Sequence, residues 1–108
     1  MAWTSLCELE ELTEGRGKYV EIDGFQMAVF RLGSDLYVVD NCCPHAGGNL
    51  AGGSIEGDCV VCPWHHWAFH LHNGKLRGSP GVTITTYKVR LLQRDAMPTL
   101  VQADLPTY

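Results

Sequence analysis

Two short groups constrain this chain more than anything else in it: Cys43-Pro44-His45 and, after sixteen intervening residues, Cys62-Pro63-Trp64-His65. Each sets a thiol and an imidazole two or three positions apart on a turn stiffened by proline, so that both donor atoms can point at one centre. Two such turns together supply four ligands, and the fold must bring both loops to one place. A Cys₂His₂ set suits either zinc or iron. The usual zinc-finger arrangement pairs Cys with Cys on one turn and His with His on another, whereas here each loop carries one of each.

The 108 residues are enough for one domain with one core, spanning 1–108, and too few for a second. Hydrophobic residues at 45% and charged residues at 19% lie far from the composition of a disordered chain. The start, Met1-Ala-Trp-Thr-Ser-Leu-Cys7, lacks the features of a signal peptide, and no apolar stretch approaches the ~20 residues that span a bilayer. A cytoplasmic protein without a membrane role is expected. A net charge of −4 with only 8 Lys and Arg offers no footprint for nucleic acid. Five cysteines, an odd number in a reducing compartment, point to metal ligation or burial before disulfides.

From Lys18 onward the pattern is of short β-type runs separated by turn chemistry: Lys18–Ile22, Gln26–Leu32 and Asp35–Asp40, joined at Asp23-Gly24 and Gly33-Ser34. The acidic stretch from Cys7 to Gly17 has no clear period. Gly47, Gly48, Gly52, Gly53 and Gly57 crowd a loop that must fold tightly around something. Further strands are expected over Asp58–Cys62, Trp67–His72, Val82–Leu92 and Thr99–Ala103, with a hairpin at Asn73-Gly74, a loop over Gly78-Ser79-Pro80-Gly81 and a turn around Arg94–Pro98. No long helix is expected.

Cys43-Pro44-His45-Ala-Gly-Gly-Asn-Leu50 and Cys62-Pro63-Trp64-His65-His-Trp-Ala-Phe69 resemble the two boxes of Rieske-type ferredoxins, and the resemblance extends over most of the chain. It implies an all-β Rieske iron–sulfur fold: an antiparallel β-sandwich base with an inserted two-loop cluster-binding subdomain at about 41–78. It also implies a [2Fe–2S] cluster in which Cys43 and Cys62 bind the buried iron while His45 and His65 bind the outer one. Leu50 resembles the residue that covers the cluster from the first loop, and Pro80 falls in the family's cluster-facing proline loop. Trp64 and Trp67 flank the second loop, where they would exclude water or pack in the core. His66 departs from the glycine usual after the ligand histidine, which is uncomfortable if positive φ is required, unless the loop relaxes or His66 shields the cluster.

High-potential members of the family carry an extra cysteine in each box, joined as a disulfide. Gly48 and Trp64 stand at those positions here, so the resemblance implies a potential near the low end of the Rieske span, roughly −150 mV. Cys42 breaks the Cys-x-His spacing and reads as a spectator; Cys7 and Cys59 read as small buried hydrophobes. His66, His70 and His72 read as surface or half-buried histidines and not as a second metal site.

The expected function is one-electron transfer, from a flavin reductase to a terminal oxygenase or reductase. The chain is a carrier or a redox subunit more than an enzyme by itself. It resembles both the ferredoxin component of ring-hydroxylating dioxygenases and the small subunit of NADH-dependent nitrite reductase. A zinc-stabilised binding module is the reading left if the metal is not iron.

Overall fold

The computed structural model describes residues 2–44, 47–64 and 66–106. Among these, β-branched and aromatic runs alternating with turn residues make twelve strands: β1 (Ala2–Glu8), β2 (Gly17–Ile22), β3 (Phe25–Leu32), β4 (Asp35–Asp40), β5 (Ser54–Glu56), β6 (Cys59–Val61), β7 (Ala68–His70), β8 (Lys75–Leu76), β9 (Ser79–Thr83), β10 (Thr86–Tyr87), β11 (Val89–Arg94) and β12 (Met97–Leu105). All strand pairings are antiparallel. Among the described residues helix is limited to single 3₁₀ turns at Leu9–Glu11 and Leu50–Gly52, and no helix is long and apolar enough to cross a membrane. The fold is all-β, as the residue patterns and the resemblance both implied.

The strands form three sheets, in the orders β1-β12-β11, β10-β4-β3-β2 and β5-β6-β7-β8-β9. The middle sheet is covered on both faces. In β3, Ala28 and Phe30 join one core with Val39, Leu50, Val60, Phe69 and the two cysteines of the boxes, while Met27 and Val29 join a second core with Val38, Val101 and Ala103. A strand buried on both faces loses the polar/apolar alternation of a half-exposed one, which is why Met27-Ala-Val-Phe30 is an unbroken apolar run. One face of this sheet therefore supports the cysteine loops and the other closes onto the chain termini.

The hairpin at Asp23-Gly24 forms as expected, with φ of +53° and +84° at its two residues, the mirror-image turn geometry that matches strand twist. Three expectations change, and a strand precedes the stretch for which none was formed. The acidic N-terminal stretch, which has no period of its own, follows a strand, β1, that pairs with β12 from Ala2↔Leu105 to Glu8↔Leu100. Long-range pairing with the other chain end supplies what local pattern does not. The Gly78–Gly81 loop is a strand: the chain turns at Arg77-Gly78, where Gly78 has φ +86°, and Ser79 already pairs with Leu76. Pro80 is tolerated because β9 is an edge strand, where a missing N–H costs no ladder bond.

The run Val82–Leu92 is not one strand. It serves all three sheets in turn, as β9, β10 and β11, and the joints are held by Ile84 N–H donating to Gly74 O (2.8 Å), Asp40 N–H to Thr85 O (2.9 Å) and Asp104 N–H to Lys88 O (2.9 Å). The last strand runs from Met97 to Leu105, longer than its apolar centre suggested.

Gly17 is where the base meets the first cysteine loop. A Cβ there would lie 2.5 Å from Ala51 O and 2.8 Å from both Ala51 Cα and Phe30 Cε1, so only glycine lets β2 pack this close to the 3₁₀ turn. Gly17→Ala is expected to cost about 1–3 kcal/mol of stability through overpacking, read from the shift in denaturant midpoint.

Candidate metal centre

The first cysteine loop leaves β4 and closes on itself at Asn41. The Asn41 N–H donates to Gln26 O (3.0 Å), its carbonyl accepts from Leu50 N–H (2.8 Å), and its side-chain Oδ1 accepts from Ala51 N–H (2.8 Å). Asn41 is buried, so these bonds satisfy groups that water cannot reach. Above this neck Cys43 N–H donates to Gly48 O (3.0 Å) and Gly47 N–H donates to Cys43 O (2.7 Å), with Gly47 at φ +68°.

The second loop is the connection between β6 and β7. Val61 pairs with Ala68, and Cys62 N–H donates to Trp67 O (2.7 Å), so the connection has a fixed base. Within it, Trp64 N–H points at Cys62 Sγ (3.4 Å).

The two loops meet. Cys43 and Cys62 have no exposed surface and belong to one core with Leu50, Phe30 and Phe69. Their thiols are close enough for Cys43 to act on the ionisation of Cys62, and neither is in a disulfide. Burial pushes the Cys62 thiol up; the Trp64 N–H acts in the opposite sense, and the Cys43 thiol pushes it up further. Two adjacent buried thiols cannot both ionise without a compensating cation, so the arrangement suits a metal group that neutralises them, with an N–H donor already aimed at one sulfur.

The approach depends on Gly48. A Cβ built there would sit 2.5 Å from Cys62 Sγ and 3.7 Å from Trp64 Cβ. The second distance is the Cβ–Cβ separation of a disulfide, so positions 48 and 64 face each other as the resemblance required, and glycine and tryptophan leave that bridge unmade.

His45 and His65 lie outside the described residues. Of the other residues singled out by sequence, Leu50 is fully buried in the same core as the two cysteines, and Trp67 is partly buried against it with its ring 6.5 Å from that of Phe69. Trp64 is not a core residue: it is 57% exposed, so it contributes its backbone N–H and an aromatic surface instead of shielding by burial. His66 is exposed at φ +59°, the strained conformation anticipated for a non-glycine residue. Pro80 is exposed on β9, not on a loop. Cys42 is exposed while Cys43 beside it is buried; Cys7 and Cys59 are buried, and burial together with Glu11 raises the Cys7 thiol to about 11. Asn41 escaped sequence reasoning, because an asparagine between a strand and a loop carries no signal of the three bonds it makes.

The family model of the Rieske [2Fe–2S] domain matches residues 2–88. The chain is 42% identical over 76 residues to a cholesterol 7-desaturase from Hemicentrotus pulcherrimus, a match that takes in 68% of this chain and only 16% of that protein. It is 29% identical over 90 residues to the ferredoxin component of the naphthalene 1,2-dioxygenase system of Pseudomonas putida, covering 82% of this chain and 86% of the other. Among solved structures, one from Mycobacterium tuberculosis, provisionally assigned as the small subunit of an NADH-dependent nitrite reductase, superposes with a TM-score of 0.84 at 27% identity, over 98% of this chain and 97% of that one. A ferredoxin of Sphingomonas yanoikuyae B1 superposes with a TM-score of 0.81 at 26% identity, over 97% and 100%.

Two substitutions test the local account. Asn41→Ala leaves the partly buried Ala51 N–H without its acceptor and is expected to cost about 1–3 kcal/mol, measured by chemical denaturation. His66→Gly removes the left-handed strain and is expected to stabilise the protein by about 1 kcal/mol in the same assay, less if glycine's unfolded-state freedom offsets it.

Proposed function

The chain belongs to the Rieske [2Fe–2S] domain family, and from that premise we propose that it is a one-electron carrier whose cluster is bound by Cys43 and Cys62 at the buried iron and by His45 and His65 at the outer one. The observation that carries the ligand assignment is the meeting of two fully buried thiols from separate loops, under a Trp64 N–H donor. Burial also favours Cys43 over its exposed neighbour Cys42. When bound, the cluster supplies a reversible one-electron couple, raised above that of all-cysteine ferredoxins by its two imidazole ligands.

The protein's own part is to hold, shield and present. Leu50 and Phe69 keep water from the sulfurs, and a drier surrounding strengthens the hydrogen bond from Trp64. The segment of about 41–78 acts as a cluster-binding subdomain on the base formed by the chain ends. The exposed Trp64 ring, two residues from Cys62, gives a redox partner an aromatic contact close to the centre.

Likeness to a dioxygenase ferredoxin component along most of both chains supports a carrier between a flavin reductase and a terminal oxygenase. The fit to the M. tuberculosis structure supports a second placement, as the small subunit of a nitrite reductase. Membership in a larger oxygenase, of which this chain would be one part, is the reading suggested by the desaturase match. Free cysteines suit a reducing, cytoplasmic setting.

An anaerobic redox titration tests the proposal. One electron per chain, with a midpoint near −150 mV, is the expected result, because no disulfide joins positions 48 and 64. Cys42→Ser is expected to leave the titration unchanged and Cys43→Ser to abolish it; the reverse pattern would reassign the ligand. Electron delivery to an oxygenase without stable association supports the shuttle, and tight co-purification with a flavin- and sirohaem-containing enzyme supports the nitrite reductase subunit.

A further inference from the structure

The five-stranded sheet carries a second convergence of ligand-type side chains, separate from the cysteine loops. Along β6 and just beyond it, Val60 and Cys62 belong to the main core, whereas Cys59 and Val61 form a small buried cluster of their own with Ala68. Cys59 pairs across the strands with His70. Asp58, in the turn before β6, accepts a hydrogen bond at its backbone carbonyl from Leu71 N–H (2.9 Å), and this tie seats its carboxylate against the histidines on either side of Leu71.

The resulting distances are informative. His70 Nδ1 is 3.4 Å from both Asp58 Oδ1 and Oδ2, His72 Nδ1 is 3.8 Å from Oδ2, and one ligand atom from each of the three residues lies within 4.8 Å of the others. Cys59 Sγ is 3.4 Å from His70 Nδ1 and 3.5 Å from Asp58 Oδ1. The nitrogen–oxygen separations are long for hydrogen bonds, whose optimum is about 2.9 Å. They are close to the spacing of atoms sharing a metal: with metal–ligand bonds of about 2.0–2.1 Å to nitrogen or oxygen and 2.3 Å to sulfur, tetrahedral ligands stand roughly 3.3 Å apart, or 3.6 Å where one is sulfur.

We propose that Asp58, His70 and His72, with the Cys59 thiol beside them, bind one divalent transition-metal ion of the zinc class. Imidazole, carboxylate and thiolate are the donors such an ion takes. Asp58 and His72 are exposed, so the ion reaches the site from solvent, while Cys59 is buried and fixed by the strand pairing. Binding requires one local change: Asn73 Nδ2 lies 3.2 Å from His72 Nε2, and its Oδ1 accepts from Lys75 N–H, so when Nδ1 takes the metal the His72 ring moves its proton to Nε2 and loses that contact with the Asn73 amide donor. Sequence alone reads these histidines as surface or half-buried residues and not as a metal site, because they are twelve or more residues from Asp58 and only the β6–β7 pairing brings them together.

Zinc titration of the full, cluster-loaded chain by calorimetry, with zinc and iron counted on the dialysed product, tests the site. One zinc per chain with the iron content unchanged is the expected result, and His72→Ala and Asp58→Asn should each weaken binding at least tenfold. Both side chains are exposed, and an unaltered visible cluster spectrum verifies that each variant is folded. Absence of bound zinc, zinc gained only as iron is lost, or equal affinity in wild type and both variants would overturn the proposal.

Discussion

The close approach of one loop's backbone to the other loop's sulfur is the contact on which the arrangement rests. Cys62 Sγ stands where a side chain at position 48 would begin, so the first loop must present glycine there, and Cys43 is then brought beside Cys62 with no exposed surface. The rest of the loop architecture keeps that distance short. Asn41 ties the neck of the first loop at both its backbone and its side chain, and the Cys62–Trp67 bond sets the base of the second. Beneath them, the 3₁₀ turn at Leu50–Gly52 sits on Gly17 and Phe30. Each support is a short-range geometric constraint, and together they pre-position two thiols that would otherwise repel once ionised.

This dependence explains the division of the molecule into two cores. β3 and β4 pass apolar side chains to both faces, so the sheet that carries the cysteine loops is braced from behind by β12 and β1. A carrier that exchanges electrons must change charge without moving its ligands, and rigid burial on both sides of the supporting sheet limits such movement. The flexible-looking glycine content of the first loop therefore reflects close packing more than mobility.

Much of this was legible in sequence, for identifiable reasons. The central meander could be read because Asp23-Gly24 and the alternating runs around it are local signals, and the two cysteine loops because each packs cysteine, proline and histidine into four residues or fewer. The departure at His66 was also readable, and its positive φ is observed. What could not be read depends on partners far away in the chain. β1 is a strand because β12 is there to pair with it. Val82–Leu92 is divided among three sheets because Gly74, Asp40 and Asp104 hold its joints. Trp64 looked like a shield by composition and is mostly exposed, since the second loop turns its backbone and not its ring toward the sulfur.

The most direct test of the central claim is the reduced-state EPR spectrum of protein purified without air, with iron counted on the same sample. A [2Fe–2S] centre bound by two cysteines and two histidines predicts two irons per chain and a rhombic signal of low average g, lost when either loop's cysteine ligand is replaced. A colourless, EPR-silent protein that takes up no iron after reconstitution would contradict it, and would leave the two buried thiols as ligands of some other metal.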